Sequence, residues 1–211
     1  MTENLTVIQH PLLDDAMSYL RSRDTDTEKF QRYAQVATRI LAMEVFHDLP
    51  TRPVRINTPL EEMEARRLAQ PTIFIPVLRS GLALLDAMSN FLPGSKVGFV
   101  GMERNEETAI ARSYYSKLPQ HLGESMVVIL DPMLATGGSA LGTLRLLRQS
   151  GAHQLRLACI VAAPEGVELL VAEDPSIRIF TCALDRGLNE RKYILPGLGD
   201  FGDRYFGTAN D

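Results

Sequence analysis

Tryptophan is absent from this 211-residue chain, which also has only two cysteines and four histidines. Two cysteines cannot build a disulfide framework. Both lie inside apolar runs, Cys159 in RLACIVAA and Cys182 in IRIFTCAL, so buried reduced thiols are the better reading and a bridge between them the alternative. His10, His47, His121 and His153 are too scattered to suggest a metal cluster. No apolar run approaches the roughly 20 residues that span a bilayer. The start, MTENLTVIQHPLL, lacks the basic segment, apolar core and small-residue cleavage site of a secretory signal. The expected location is therefore cytoplasmic, and the Asn4-Leu5-Thr6 sequon is a chance match. Positive charge is also in deficit: 22 Lys and Arg against 26 Asp and Glu give a net charge of -4, which argues against a nucleic-acid or membrane surface.

What is present suits one α/β domain spanning residues 1–211, since 45% apolar and 23% charged residues are ordinary for a globular chain and the length allows a sizeable core. No linker, repeat or low-complexity stretch interrupts it. Residues 11–49 read as two helices, with Thr25-Asp26-Thr27-Glu28 as a capping box in which Glu28 follows a hydroxyl cap by three residues. From residue 72 short apolar strands alternate with helices. The spacing predicts strands over 72–78, 96–102, 126–130, 155–163 and 177–184, and helices over 81–92, 139–151 and 164–173. Such alternation implies a mostly parallel sheet flanked by helices, whose ligands bind outside the carboxyl ends of the strands.

Three motifs fall at those ends. In VVILDPMLATGGSA, strand residues lead into Asp131, and Thr136, Gly137, Gly138 and Ser139 open a helix. Backbone amides there form an anion pocket, helped by the helix dipole and by the Thr136 and Ser139 hydroxyls. Asp131 repels a phosphate but accepts hydrogen bonds from sugar hydroxyls, so the pair reads as a sugar-phosphate site. An ordinary strand–turn–helix connection has the same composition. A nucleotide P-loop is excluded because no Gly-Lys-Ser/Thr ends the motif. GLGDFG (197–202) matches a dinucleotide fingerprint, but only nine residues follow, too few for a helix and second strand to complete that unit. It is read instead as a glycine-rich loop exposing backbone groups around Asp200. Arg79 follows a strand, and Arg104 opens the polar stretch 103–123, read as a connection without clear structure that closes over the site. Arginine suits pyrophosphate through its bidentate fork.

Together these residues resemble the uracil phosphoribosyltransferase family. VILDPMLATGGS resembles its phosphoribosyl pyrophosphate (PRPP) motif, and PVLRSGL, GMERNEET, VAAPEG and YILPGLGDFGDRYFGT resemble four further signatures in the right order, over about residues 5 to 209. The resemblance implies a type I phosphoribosyltransferase fold with an N-terminal helical segment and a base-binding C-terminal segment, 184–211. It implies transfer of ribose 5-phosphate from PRPP to N1 of uracil, giving UMP and pyrophosphate with Mg²⁺. Carried over, Asp131 holds the ribose hydroxyls, Pro132, Met133 and Leu134 continue the motif, and Ala135, Thr136, Gly137, Gly138 and Ser139 cradle the 5-phosphate. Arg79 and Arg104 contact the pyrophosphate, and Asp200 lies near the metal, the pyrophosphate and the reacting carbon. Uracil is read largely by main chain at Ile194, Gly199, Asp200 and Phe201. The family's minimum unit is a homodimer, and some members respond to GTP as an allosteric effector. Glu103 and Phe201 depart from common bacterial versions, and the bulk of Phe201 is expected to limit the room beside the base. A phosphoribosyltransferase for another base and an RNA-binding regulator of the same fold are the alternative readings.

Overall fold

Strands covered on both faces carry near-continuous apolar side chains, and the runs at 72–78, 126–130, 154–162 and 178–184 form such strands, largely buried. The computed structural model describes residues 3–104 and 111–208. The first half of the chain runs β1 (Leu5–Val7), α1 (Pro11–Arg21), α2 (Thr27–Phe46), β2 (Thr51–Asn57), β3 (Glu62–Leu68), β4 (Thr72–Leu78), α3 (Leu82–Phe91), β5 (Lys96–Val97), β6 (Phe99–Arg104) and β7 (Ala111–Lys117). The second half runs β8 (Met126–Leu130), β9 (Met133–Leu134), α4 (Gly138–Gln149), β10 (Gln154–Ala162), α5 (Pro164–Glu173), β11 (Arg178–Leu184), β12 (Gly187–Leu188), β13 (Ile194–Leu195) and α6 (Phe201–Phe206).

The main sheet has the order β1-β11-β10-β8-β4-β6-β7, with β5 beside β4 and β9 beside β10. Its pairings are parallel except β6 with β7. Alternation along each strand divides the core between two helical layers. Phe74, Met126, Val128 and Leu130 pack with α1, α2 and α3, while Ile73, Ile75, Val127 and Ile129 pack with α4 and α5. Cys182 belongs to the first layer and Cys159 to the second, so they lie on opposite faces of the sheet. Both are free and buried, and burial pushes the Cys159 thiol up to about 12.

After β4 the chain crosses to β6 on one side, and after β8 it crosses to β10 on the other. The adjacent carboxyl ends of β4 and β8 are therefore a topological switch point, where open α/β sheets form their ligand crevice.

Three expectations are corrected. The cap of α2 is Asp26, whose carboxylate accepts from Lys29 N–H, so no capping box pairs Thr25 with Glu28. Thr25 instead donates to the Tyr19 carbonyl, closing the turn that precedes the helix. The stretch 103–123 is not without structure, because β7 pairs antiparallel with β6 within it. Residues 105–110 lie outside the described residues. The chain end holds a short helix after all, α6, which begins inside GLGDFG, although among the described residues no strand follows it. β1 and the separate β2–β3 hairpin give little sequence signal, since β1 is three residues long and, of TRPVRIN and EMEARRL, only Val54, Ile56 and Ala65 are half-buried and the rest exposed.

Candidate active site

The switch point opens into a cavity of about 400 Å³, lined by Arg79, Ser80, Asp131, residues 133–140, Ile194 and residues 199–202, with Met102, Lys192 and Tyr193 on its wall. Gly81 lets β4 turn sharply beneath it. A side chain there would place its first carbon 2.3 Å from the Leu130 carbonyl oxygen and 2.6 Å from the Val77 nitrogen, both backbone atoms that cannot withdraw. Arg79 and Ser80 are thereby held against the end of β8.

The segment after β8 makes the anion cradle. Gly137 caps α4 in the left-handed region, with φ 79°, and no side chain caps the helix. The free N–H groups of its first turn therefore meet the cavity with the helix dipole behind them. Only the Thr136 hydroxyl approaches them, 3.5 Å from Gly138 N. Gly166 explains the VAAPEG signature: its missing side chain lets α5 press against this loop, where a methyl group would sit 2.6 Å from the Ala135 carbonyl.

Asp131 is 7% exposed, and among the described residues its carboxylate accepts one hydrogen bond, a long one of 3.4 Å from Met133 N–H. Burial pushes its pKa up to about 6, and the Met133 N–H draws it only partly back. Such a carboxylate lacks donors, and a cavity beside an anion cradle is where sugar hydroxyls supply them. Pro132, next in the motif, is not a lining residue: its carbonyl accepts from Ile160 and Val161 N–H and ties the loop to β10.

The opposite wall comes from the chain end. Gly197 (φ 63°) and Gly199 (φ 81°) take left-handed conformations, and Asp200 caps α6 by accepting from Asp203 N–H at 2.9 Å. Among the described residues, the Gly199 N–H and C=O have no protein partner. Phe201 is 1% exposed, with its ring packed edge-on against Phe30 at 5.2 Å and stacked with Tyr205 at 5.8 Å. Its bulk therefore serves the core, and it offers the cavity little surface. Arg79 lies 4.0 Å from Asp203. Arg104 ends β6, and its side chain lies outside the described residues.

Comparison with known proteins agrees with this geometry. The family model described as uracil phosphoribosyltransferase matches residues 7–208. The chain belongs to the uracil phosphoribosyltransferase family. Uracil phosphoribosyltransferases from Symbiobacterium thermophilum and Streptococcus pneumoniae are each 42% identical to it over 205 residues, covering 97% of this chain and 98% of theirs. The solved AQ2163 protein of Aquifex aeolicus superposes with a TM-score of 0.92 at 34% identity, over 98% of this chain and all of that one. The adenine phosphoribosyltransferase of Leishmania donovani, with a TM-score of 0.60 at 17% identity over 91% of this chain and 88% of its own, shares the fold.

For this family member, the cavity gathers every site residue expected from sequence except Pro132 and Arg104. It also contains Ser80, Met102, Ala140, Lys192, Tyr193 and Gly202, which were not anticipated. Lys192 and Tyr193 were legible only as neighbours of Ile194, and Met102 only as the last residue of a strand. No described helix is long and apolar enough to cross a membrane.

Two outcomes follow from the packing. Below about pH 4 Asp131 is protonated in both folded and unfolded chains, so its burial carries no ionic cost. The cost grows from about pH 4 to 6, as the unfolded carboxyl ionises first, and reaches the order of 3 kcal/mol above that range. Asp131→Asn is therefore expected to raise the melting temperature of the ligand-free protein near pH 8, with the gain vanishing near pH 4. A gain of equal size at both pH values would rule out this account. Phe201→Ala is expected to cost about 3–5 kcal/mol in denaturant unfolding, as a fully buried aromatic does. An unchanged unfolding midpoint would show that the ring is not part of the core.

Proposed function

We propose that this cavity binds PRPP and uracil for the reaction of the family, in which ribose 5-phosphate passes from PRPP to uracil N1 and yields UMP and pyrophosphate in pyrimidine salvage. The observation that carries the reading is the buried, donor-starved Asp131 beside the uncapped start of α4. The 5-phosphate accepts from the first-turn amides and the Thr136 and Ser139 hydroxyls, while the ribose hydroxyls donate to Asp131. Arg79 and Arg104 take the pyrophosphate through their forks.

The bond from the anomeric carbon to pyrophosphate breaks as the bond to N1 forms, through an oxocarbenium-like state that needs no covalent nucleophile from the protein. What the chain supplies is position and fixed charge. Among the described residues no three His, Cys, Asp or Glu side chains gather into a metal-holding group. Mg²⁺ keeps its waters and binds through substrate phosphates plus one or two carboxylates, and Asp200 is the cavity carboxylate that would serve it here. When bound, the ion neutralises charge on the leaving pyrophosphate. The Asp200 carboxylate complements the cationic sugar from the loop that also presents the base-reading main chain.

Uracil offers an N3 donor between two carbonyl acceptors, a pattern that the main chain at Ile194 and Gly199 to Phe201 can complement. Cytosine changes the polarity of one edge and leaves buried groups unpaired. A homo-oligomer, at least a dimer, and a response to GTP belong to the same family-based reading.

With PRPP and Mg²⁺, uracil is expected to be consumed to UMP while cytosine, hypoxanthine and guanine are not. Equal turnover of a purine would overturn the base assignment, and RNA binding without any turnover would favour the regulator. Asp200→Asn is expected to lower kcat roughly 10²–10³-fold, the scale of one lost electrostatic stabiliser, with smaller changes in both KM values. A lower melting temperature with normal kcat would leave Asp200 as a helix cap only.

A further inference from the structure

The loop that follows β13 is held from outside the cavity by residues that the reaction does not call on. Arg21, in the last turn of α1, forms a two-pronged ion pair with Asp185: Nη2 lies 2.7 Å from Oδ1 and Nη1 2.9 Å from Oδ2. The same Nη1 donates to the Gly197 carbonyl at 2.8 Å, and the Gly197 N–H donates to Asp185 Oδ2 at 2.8 Å. Both main-chain groups of Gly197 are thus committed to one ion pair. The Asp185 side chain is 5% exposed, so this pair is well shielded from water. Its own N–H donates to the Ala162 carbonyl at the end of β10, which roots the pair in the sheet.

Only glycine fits at 197, so its main chain is held by these bonds and not by a side chain of its own. Its φ is 63°, and the first side-chain carbon of any other residue would stand 2.2 Å from the Ile194 carbonyl. Two residues later Gly199, also left-handed, leaves its N–H and C=O without protein partners among the described residues, on the cavity wall. A rotation of the peptide planes at 197 would carry through Leu198 into those two groups. Arg204 adds a second tie, donating to the Leu198, Leu20 and Ser22 carbonyls and so joining the loop to the end of α1.

We propose that Arg21 and Asp185 are positioning residues for base recognition: their ion pair fixes the peptide planes of residues 197–199 so that the main chain meets the base edge in register. The inference rests on the proposed readout of uracil by this loop. It makes a demand that a purely structural pair does not: the loop it holds carries the base-reading main chain, and Asp200, which shares that loop, is read in kcat rather than in the KM for PRPP. The phosphate cradle, Asp131 and Arg79 are built on β4, β8 and α4, and have no bond to Arg21 or Asp185. A charge-assisted, two-pronged contact of this kind is lost completely when the fork is removed, and only partly when the charge alone is kept.

The test is steady-state kinetics on the full chain, varying uracil and PRPP separately, for wild type, Arg21→Met, Arg21→Lys and Asp185→Asn, at a temperature well below the melting point of each. The expected result is a KM for uracil raised about tenfold or more in Arg21→Met and Asp185→Asn, with the KM for PRPP within about threefold of wild type. Arg21→Lys should fall between, and discrimination against cytosine should narrow in step. If both KM values rose together, or neither moved, the latch would be only structural and the proposal would fail. Should Arg21→Met not fold, Arg21→Lys and Asp185→Asn carry the same comparison. If the wild type turned over a base other than uracil, the base assignment would fall, while a KM change confined to that base would still support the latch.

Discussion

Asp131 is a carboxylate placed where β8 ends, buried and served by one weak hydrogen bond, and the rest of the site is arranged around that deficit. A buried carboxylate with so few donors is held at an electrostatic cost, which here appears as a pKa raised to about 6. The phosphate cradle a few residues on cannot relieve it, since phosphate is also anionic. A ligand that carries both a phosphate and vicinal hydroxyls satisfies the two needs at once, and neither inorganic phosphate nor a plain sugar does. In this way a group that is unfavourable by itself favours ligands that bring it donors.

The cradle and the base loop share a support, although they lie in distant parts of the sequence. α5 begins immediately after β10, with Gly166 pressed against the Ala135 carbonyl of the cradle. The neighbouring Glu165 accepts from Leu188 N–H at 3.0 Å, which fixes the start of the β12–β13 excursion. One turn of one helix thus sets the spacing between the loop that opens α4 and the strands leading to residues 197–202. Glycine is needed at 166 for packing, and glutamate at 165 for its reach. The proline before them starts the helix where its missing N–H costs nothing.

Much of this was legible in the sequence where one physical signal dominated. Unbroken apolar runs marked the central strands, and the run from Asp131 to Ser139 marked a glycine-containing turn into a helix, which the structure sets at the cavity. The elements that escaped notice have no apolar face to announce them. β2 and β3 are charged on both sides, and β7, SYYSK included, looks like polar loop until it pairs with β6. Phe201 shows a different limit. Its position in GLGDFG placed it at the cavity, which it does line, but only the packed structure shows that its ring turns to Phe30 and Tyr205. Asp185 and Arg21 are separated by 164 residues, so no local pattern could reveal the pair.

The cationic side of the cavity is loosely held, which suits the role proposed for it. Arg79 is 66% exposed and stands 4.0 Å from Asp203, the outer limit of an ion pair. Pairs so exposed contribute about 0–1 kcal/mol, so little opposes the guanidinium turning to a pyrophosphate that can accept two hydrogen bonds from its fork. Asp203 is not stranded when that happens, because its Oδ1 also accepts from the Thr208 hydroxyl at 2.7 Å and its N–H stays on Asp200. Asp203 therefore biases Arg79 toward the cavity mouth without competing for it. The same short helix holds Asp200 at the cavity and Asp203 near Arg79, so anchoring α6 sets the positions of an acidic and a basic group of the cavity together.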